Sequence, residues 1–352
     1  MNNFFSKQLY QEDVVKVSKM DLPWDEFSDA GVLITGASGM IGSFLVDVLM
    51  YKNLSESLNC HVYALGRSEQ NARNRFDHYW EDKNFSFIRH DIVLPLNQSF
   101  ENLQFIFHLA SNTHPVAYAT DPIGTITTNV IGTQNLLNVA TKESIKRFIF
   151  ASSNEVYGEN RGDVVKFSED YCGYINSNTL RAGYPESKRC GEALCQAYLS
   201  QENVDIIIPR LTRTYGPTVK TNDSKAISQF LKNGVNNENV VLKSAGRQKY
   251  SFLYVADTVS GLLFATLLGN TGEAYNVSDS KSDVSLRNLA ATIANISNTD
   301  VVFEEPDSTE KKGFSKATVA MLDSTKLQNM GWRAMYDISS GISRTISILK
   351  TV

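Results

Sequence analysis

The chain has 352 residues, of which 42% are hydrophobic and 20% are charged, and its formal net charge is −4. This length suits a large domain with a smaller lobe, and a mildly acidic chain is poorly suited to bind nucleic-acid phosphates. No run of about 18 apolar residues is present, so the sequence predicts no membrane association. The start of the chain lacks a secretory signal, and its four cysteines have neither metal-ligand nor disulfide-framework spacing. We expect a cytoplasmic protein without a metal.

Residues 1–30 carry scattered charges and are expected to form an extension packed outside the main fold. After this segment, short apolar runs alternate with stretches of helical spacing. The predicted strands are 32–34, 61–65, 85–88, 105–109, 147–151 and 204–208, and the predicted helices include 41–50, 125–140 and 338–349. This alternation predicts an α/β fold with a doubly wound parallel sheet of the Rossmann type, followed by a smaller C-terminal α/β lobe.

A glycine-rich turn joins the first predicted strand to the first predicted helix. It comprises Gly36, Ser38, Gly39, Met40, Ile41 and Gly42, with Ala37 between the first two. Gly36 permits the tight turn, Gly39 lets the backbone approach a pyrophosphate, and Gly42 allows close packing of helix on strand. Because the turn lies between a strand and a helix, it predicts an NAD(P)-binding domain over residues 31–209. Residues 210–352 would then mainly bind substrate, with some segments returning to the first domain.

The residues that follow the next strands complete the predicted cofactor site. About 20 residues after the glycines, where an NAD site offers a carboxylate to the ribose, the chain has Arg67 after Gly66. A guanidinium suits the 2′-phosphate of NADP, although it could also stack on adenine or face solvent. Asp91 and Ile92, after the third strand, are expected to flank the adenine. The loop after the fourth strand also faces the cofactor, with candidate residues Leu109, Ala110 and Ser111.

Tyr184 and Lys188 are four residues apart, which places them on one face of a helix. A tyrosine with a reference pKa near 10 is a poor base, but a nearby ammonium and a positive nicotinamide would favour its phenolate. Ser153 directly follows a predicted strand, where its hydroxyl could orient the same substrate oxygen. The pattern of one tyrosine and one lysine is unspecific alone, and Ser153 strengthens it.

On these motifs the chain resembles the extended short-chain dehydrogenases that modify nucleotide sugars, namely epimerases, 4,6-dehydratases and UDP-glucuronate decarboxylases. The matching stretches are TGASGMIG, FIFHLAS, DPIGTITTNVIGTQNLL, ASSNEVYG, YPESKR, TYGP, FLYVAD, GEAYNVS and LQNMGW. The resemblance implies that Ser153, Tyr184 and Lys188 are catalytic and that Glu155 handles a second proton. It also implies a homodimer formed by the helix 124–140 and the helix after Tyr184.

The chain departs from this family where substrate phosphates would bind. Tyr250 stands where the family has an arginine, Arg213 where it has an asparagine, and no arginine precedes Asp323. Asn154 stands where many dehydratases have an aspartate that acts as the acid. Because an amide cannot donate that proton, the case for a 4,6-dehydration of this type is weakened. We expect an anionic substrate, a nucleotide sugar or sugar phosphate, with Arg213 binding its phosphates together with a second cation.

The candidates for the second cation are Arg247 and Lys249. His114 is a candidate substrate contact, whereas His108 is expected to be structural. The leading functional hypothesis is an NAD(P)-dependent epimerase or dehydratase of nucleotide sugars that works through a keto intermediate. An NADPH-dependent reductase of a nucleotide- or phosphate-linked keto sugar is the first alternative, and a dinucleotide sensor without turnover is the second.

Overall fold

The computed structural model describes residues 4–113, 115–220, 223–305 and 318–351. Its strands are β1 (Gly31–Thr35), β2 (His61–Gly66), β3 (Phe85–Arg89), β4 (Leu103–His108), β5 (Arg147–Phe150), β6 (Ser152–Ser153), β7 (Ile206–Leu211), β8 (Arg213–Tyr215), β9 (Val240–Leu242), β10 (Lys249–Tyr254), β11 (Ala274–Val277), β12 (Asp283–Ser285), β13 (Val301–Phe303) and β14 (Val319–Ala320). Its helices are α1 (Gln8–Ser18), α2 (Met40–Glu56), α3 (Glu69–Phe76), α4 (Pro115–Thr120), α5 (Pro122–Glu143), α6 (Gly183–Glu202), α7 (Ala226–Val235), α8 (Val255–Leu268), α9 (Leu286–Ser297), α10 (Thr325–Asn329) and α11 (Ile338–Lys350).

The main sheet is parallel and has the strand order β11-β7-β5-β4-β1-β2-β3, with β6 pairing beside β7. Successive residues of β1 point to opposite faces, and both faces are buried. Val32 and Ile34 join a core that includes α2, whereas Leu33 joins a second core with Leu136 of α5 and Cys195 of α6. Burial on both faces explains why these strands are continuous apolar runs, and the predicted Rossmann-type sheet is confirmed.

A smaller lobe covers one end of this sheet. Its strands β8, β10, β12 and β14 form one small sheet, and β9 pairs with β13. Strands β8 and β10 are parallel, with Arg213 opposite Phe252. The chain then returns to the larger body, because α8 packs on α2 and β11 pairs with β7 at the edge of the main sheet. Between these bodies lies the carboxyl end of the main sheet, where parallel α/β folds bind ligands.

Helix α1, within the segment expected to be a peripheral extension, contributes to the main core. Tyr10, Val14 and Val17 are fully buried, and the helix packs on α2 and α8. Asp13 on the same side accepts hydrogen bonds from the hydroxyls of Tyr254 at 2.7 Å and Tyr336 at 2.6 Å. The segment therefore joins the start of the chain to both bodies. Among the described residues, no helix has the length and apolarity needed to cross a membrane.

Candidate active site

A cavity of about 530 Å³ lies at the carboxyl ends of the main-sheet strands. It contains residues from the loops after β1, β2, β3, β4 and β6, together with the start of α6. The lining includes every predicted cofactor residue: Gly36, Ser38, Gly39, Met40, Ile41, Gly42, Arg67, Asp91, Ile92, Leu109, Ala110, Ser111, Tyr184 and Lys188. Ser153, Asn154, Glu155 and Arg213 line the same cavity. The sequence motifs, although far apart in the chain, thus surround one space.

The glycine turn has a geometry that suits a dinucleotide. Gly36 has a φ of 67°, and a Cβ there would lie 2.9 Å from the backbone of Ala110. A Cβ on Gly42 would lie 2.5 Å from the carbonyl oxygen of Gly36, so helix α2 can approach the strand only with glycine there. Gly39 caps α2 without a side-chain hydrogen bond, which leaves the amides of the first turn available to a phosphate. The residues present therefore fit a bound pyrophosphate.

At the end of β2, the cavity wall is basic. Arg67 follows Gly66 directly and is exposed. Ser68 caps α3, and its Oγ accepts a hydrogen bond from the backbone amide of Asn71 at 3.2 Å. A carboxylate that would bind a ribose 2′-hydroxyl is therefore replaced here by a guanidinium and a hydroxyl.

Tyr184 and Lys188 lie in the first two turns of α6, and both are buried. Burial raises the pKa of Tyr184, the Glu155 carboxylate raises it further, and a hydrogen bond with Ser153 lowers it. Burial also lowers the pKa of Lys188 to about 8, and its Nζ donates to the carbonyl of Ala151 at 2.8 Å. Burial is thus the largest influence on the pKa of Tyr184 in the protein alone, and the expected phenolate, which also needs a positive nicotinamide, stays a prediction. In the protein alone, Tyr184 is therefore a neutral phenol at neutral pH.

Arg181 is a member of the site that the sequence analysis missed. It lies in a 3₁₀ turn before α6, and its Nη2 is 2.7 Å from each carboxylate oxygen of Glu155. Burial opposes the charge of Arg181, but Glu155 raises the pKa of the guanidinium above its ordinary value. The guanidinium is 4.6 Å from the ring centroid of Tyr118, which stacks on Tyr184 at 4.8 Å. Arg181 therefore holds the Glu155 side chain in place beside Tyr184.

Asn129 connects the loop after β4 to the start of α6. Its Oδ1 accepts from the hydroxyl of Ser111 at 2.8 Å, and its Nδ2 donates to Ser187 Oγ at 2.9 Å. The Ser187 hydroxyl in turn donates to the carbonyl of Tyr184 at 2.8 Å. This fully buried amide thus holds the start of α6 against the loop after β4.

His108 is buried within the main sheet. Its Nδ1 is 2.9 Å from Thr35 Oγ1 and its Nε2 is 3.0 Å from Thr133 Oγ1. Burial lowers the pKa of this imidazole well below its ordinary value, so His108 is neutral. Its two contacts connect β4 to β1 and to α5.

A second cavity of about 390 Å³ opens from the first towards the smaller lobe. Arg213 lines both cavities, and its Cζ is 3.6 Å from the ring centroid of Tyr250. Among the described residues, no partner accepts a hydrogen bond from the buried Nη1 of Arg213 or from the buried Nδ2 of Asn154. Burial lowers the pKa of Arg213. Unpaired buried donors beside an open space suit a ligand rich in acceptors.

The other described residues that were predicted to bind substrate lie outside the two cavities. Arg247 and Lys249 are exposed, and neither lines the two cavities. Lys225 lines both cavities instead, with its Nζ 3.2 Å from the Asp223 carboxylate. His114 lies outside the described residues. Within the part of the chain that the structure describes, no group of three His, Cys, Asp or Glu residues could hold a metal.

The Rossmann-type sheet and the site at its carboxyl edge define an NAD(P)-dependent enzyme of the extended short-chain dehydrogenase kind. The chain belongs to the NAD dependent epimerase/dehydratase family, which its residues 32–278 match. This family relationship confirms the resemblance inferred from the motifs. It leaves no support for the sensor without turnover.

Two relatives illustrate the similarity in sequence. UDP-glucuronic acid decarboxylase 1 from Xenopus tropicalis is 31% identical over 319 residues, which cover 90% of this chain and 71% of that protein. UDP-glucuronic acid decarboxylase 6 from Arabidopsis thaliana is 32% identical over 321 residues, covering 90% of this chain and 87% of the relative.

Two solved structures share the fold. The dTDP-glucose 4,6-dehydratase DesIV from Streptomyces venezuelae, solved with NAD, has a TM-score of 0.79 at 23% identity. The matched region covers 91% of this chain and 97% of the DesIV chain. UDP-glucuronic acid 4-epimerase from Bacillus cereus, in complex with UDP-glucuronic acid and NAD, has a TM-score of 0.76 at 23% identity. The matched region covers 91% of this chain and 99% of the epimerase chain.

Proposed function

We propose that the protein modifies a nucleotide-linked sugar by oxidising one carbinol, altering the resulting ketone and reducing it again. The observation that carries this proposal is the position of Ser153, Tyr184 and Lys188 in a cavity that also contains the dinucleotide turn and opens into a second cavity. The relatives are named for reactions on UDP-glucuronic acid, which supports a nucleotide sugar as the substrate.

The side chains divide the proton transfers between them. A bound nicotinamide cofactor would supply the hydride acceptor, the hydride donor for the second step and a positive charge that favours a phenolate. Tyr184 would take the hydroxyl proton from the substrate carbinol, and Ser153 would hold the same oxygen. The ketone so formed acidifies the neighbouring position. Glu155, held in place by two hydrogen bonds from Arg181, would remove or return a proton there.

We infer that NADP is preferred over NAD. Arg67 occupies the position beyond β2 at which a carboxylate would bind the ribose of NAD. A guanidinium can bind a phosphate with two parallel hydrogen bonds, which favours the 2′-phosphate.

Arg213 and Lys225 are the proposed ligands of the anionic part of the substrate. Both line the junction of the two cavities, and the Nη1 of Arg213 has no partner among the described residues. A buried guanidinium with a free donor is stabilised by an anion at that junction. Lys225 thereby takes the place expected for Arg247 or Lys249.

We also propose a homodimer that pairs α5 and α6 of two chains. On α5, Ile123 is 76% exposed, and Ile126 and Ile131 are about 40% exposed. Apolar side chains clustered on one helix face are more stable when a second copy covers them.

Net reduction of a keto sugar by NADPH is the second candidate. Arg67 favours it, because a net reductase consumes NADPH rather than recycling a bound cofactor. Both candidates place Tyr184 at the transferred proton, so they differ in cofactor balance and not in the site.

The experiment combines purified protein with UDP-glucuronic acid, UDP-glucose or dTDP-glucose and either NAD or NADP, and identifies products by NMR and mass spectrometry. We expect a modified sugar with no net change in cofactor, and at least a hundredfold loss of rate in Tyr184→Phe, roughly the value of one acid–base group. Stoichiometric loss of NADPH with a keto-sugar nucleotide would instead establish the reductase. If Tyr184→Phe worked at the parent rate, both candidates would be wrong.

A further inference from the structure

A second cation faces the cofactor cavity near Arg67. Lys220 belongs to the loop after β8, in the smaller lobe, and lines the same cavity as Arg67, Ser68 and Asn71. The start of that loop is fixed, because the Thr218 hydroxyl donates to the carbonyl of Met40, in the first turn of α2, at 2.9 Å. The loop therefore extends from the dinucleotide turn towards the end of β2.

Within the described part of the chain, the charges in this corner of the cavity are not balanced. Desolvation lowers the pKa of Lys220, and the charge of Arg67 lowers it further, so the two cations repel each other. The charge of Asp223 raises the pKa of Lys220, but the Asp223 carboxylate is paired with Lys225 at 3.2 Å. Among the described residues, neither Arg67 nor Lys220 forms an ion pair. Two like charges at one cavity wall are stabilised when an anion lies between them.

Ser68 adds a neutral donor to this pair. Its Oγ already accepts the amide of Asn71, so its proton is free to donate into the cavity. A guanidinium, an ammonium and a hydroxyl together match the oxygens of a phosphate monoester. A neutral ribose hydroxyl would leave both cations without a counter-charge.

We propose that Arg67, Ser68 and Lys220 form a binding site for the 2′-phosphate of NADP, in which the smaller lobe contributes Lys220 from across the cavity. This inference rests on the proposed preference for NADP and adds the residues that produce it. Because Lys220 is remote in sequence from the dinucleotide turn, the site combines ligands from both bodies of the molecule.

The test uses fragments that isolate the phosphate, so it needs neither a sugar substrate nor turnover. Calorimetry would compare adenosine 2′,5′-bisphosphate with adenosine 5′-monophosphate on the parent protein. We expect the bisphosphate to bind at least tenfold more tightly. Lys220→Ala and Arg67→Ala should each reduce that ratio by about tenfold, the loss expected for one charge-assisted bond, while affinity for the monophosphate stays close to that of the parent.

Arg89→Ala is the matched control. Arg89 pairs in register with Gly66 on the neighbouring strand, yet it is not among the residues that line the cavity. Its removal changes the net charge by the same amount and should leave the ratio unchanged. An equal loss in Arg89→Ala, or an unchanged ratio in Lys220→Ala, would overturn the site. If the parent does not discriminate between the fragments, the NADP preference itself is wrong, whereas a failed assay with nucleotide sugars would affect only the proposed reaction.

Discussion

The position of the Arg213 guanidinium depends on the aromatic ring beside it. The guanidinium lies over the ring of Tyr250, on the adjacent strand of a parallel pair. A planar, delocalised cation can stack on a ring and still direct its free Nη1 to a ligand, which an ammonium cannot do. The tyrosine therefore serves as a support for the cation.

This arrangement predicts that Arg213→Lys impairs substrate binding although the charge is retained. We expect the KM for the nucleotide sugar to rise by about tenfold, with a smaller change in kcat, because the planar fork is lost. Steady-state kinetics at saturating cofactor would measure both constants. Tyr250→Phe keeps the ring that supports the guanidinium, so its KM should stay well below that of Arg213→Lys. A parent-like KM in Arg213→Lys would show that Arg213 does not bind the substrate anion.

Lys188 predicts a specific pH dependence of stability. Burial lowers its pKa to about 8, whereas an unfolded lysine titrates near 10.4. Below pH 8 both states are protonated, and the folded state bears the full cost of the buried charge. Between about pH 8 and 10 the unfolded chain binds more protons, so the free energy of unfolding rises with pH in this window.

Lys188→Met should remove this rise. Denaturant unfolding would measure the free energy of unfolding of parent and variant at pH 7 and at pH 9.5. We expect the increase between these two pH values to be larger in the parent by roughly 1 to 3 kcal/mol. Lys142→Met is the control, because the Lys142 side chain is 66% exposed. If the two variants have the same pH dependence as the parent, Lys188 is not desolvated as the structure indicates.

Sequence motifs predicted those site residues that act through local geometry. The turn at Gly36 and the helical spacing of Tyr184 and Lys188 are set by neighbours in the chain. Arg181 was missed because its role depends on Glu155, 26 residues away. Lys249, one of two candidates for the second cation, is exposed and lines neither cavity, whereas the next residue of the strand, Tyr250, is buried and lines the second cavity.

At the scale of elements, apolar runs predicted the main-sheet strands well. The run at 61–65 became His61–Gly66, and the run at 85–88 became Phe85–Arg89. Helix α1 was not predicted, because its charges masked three apolar positions that become buried only against α2 and α8. Its place is set by tertiary contacts that a local pattern does not contain.

Helix α1 is held by a buried carboxylate, which yields a stability prediction. Asp13 is fully buried and accepts from Tyr254 and Tyr336, and Arg344 lies 2.9 Å away. Asp13→Ala should lower the free energy of unfolding by about 3–5 kcal/mol, because it removes the buried carboxyl partner of Arg344 and leaves the hydroxyls of Tyr254 and Tyr336 without this acceptor. Glu12→Ala, next to it and 40% exposed, should cost under about 1 kcal/mol. Denaturant unfolding at pH 7 would measure both, and equal losses would contradict this role of Asp13.

At the scale of the whole molecule, the two bodies share one site because the chain crosses between them repeatedly. The chain leaves the main sheet after β7 and rejoins it at β11. Residues of the intervening lobe, Arg213, Lys220 and Lys225, line a cavity in which most other residues belong to the larger body. A sequence pattern indicates which strands exist but not which loop of one body faces the other. For that reason the positions of Lys220 and Lys225 in the cavity were identified from the structure and not from the sequence.

The face of α5 predicts the assembly. If α5 pairs with a second copy, the parent should sediment at twice the mass of one chain, and Ile131→Lys should shift it towards the monomer by placing a charge in an apolar interface. Leu268→Lys is the matched control, since Ile131 and Leu268 are both 42% exposed and Leu268 lies at the end of α8, on the opposite side of the main sheet. Analytical ultracentrifugation over a concentration series would separate these cases. A monomeric parent, or dissociation caused equally by both variants, would show that α5 does not form the interface.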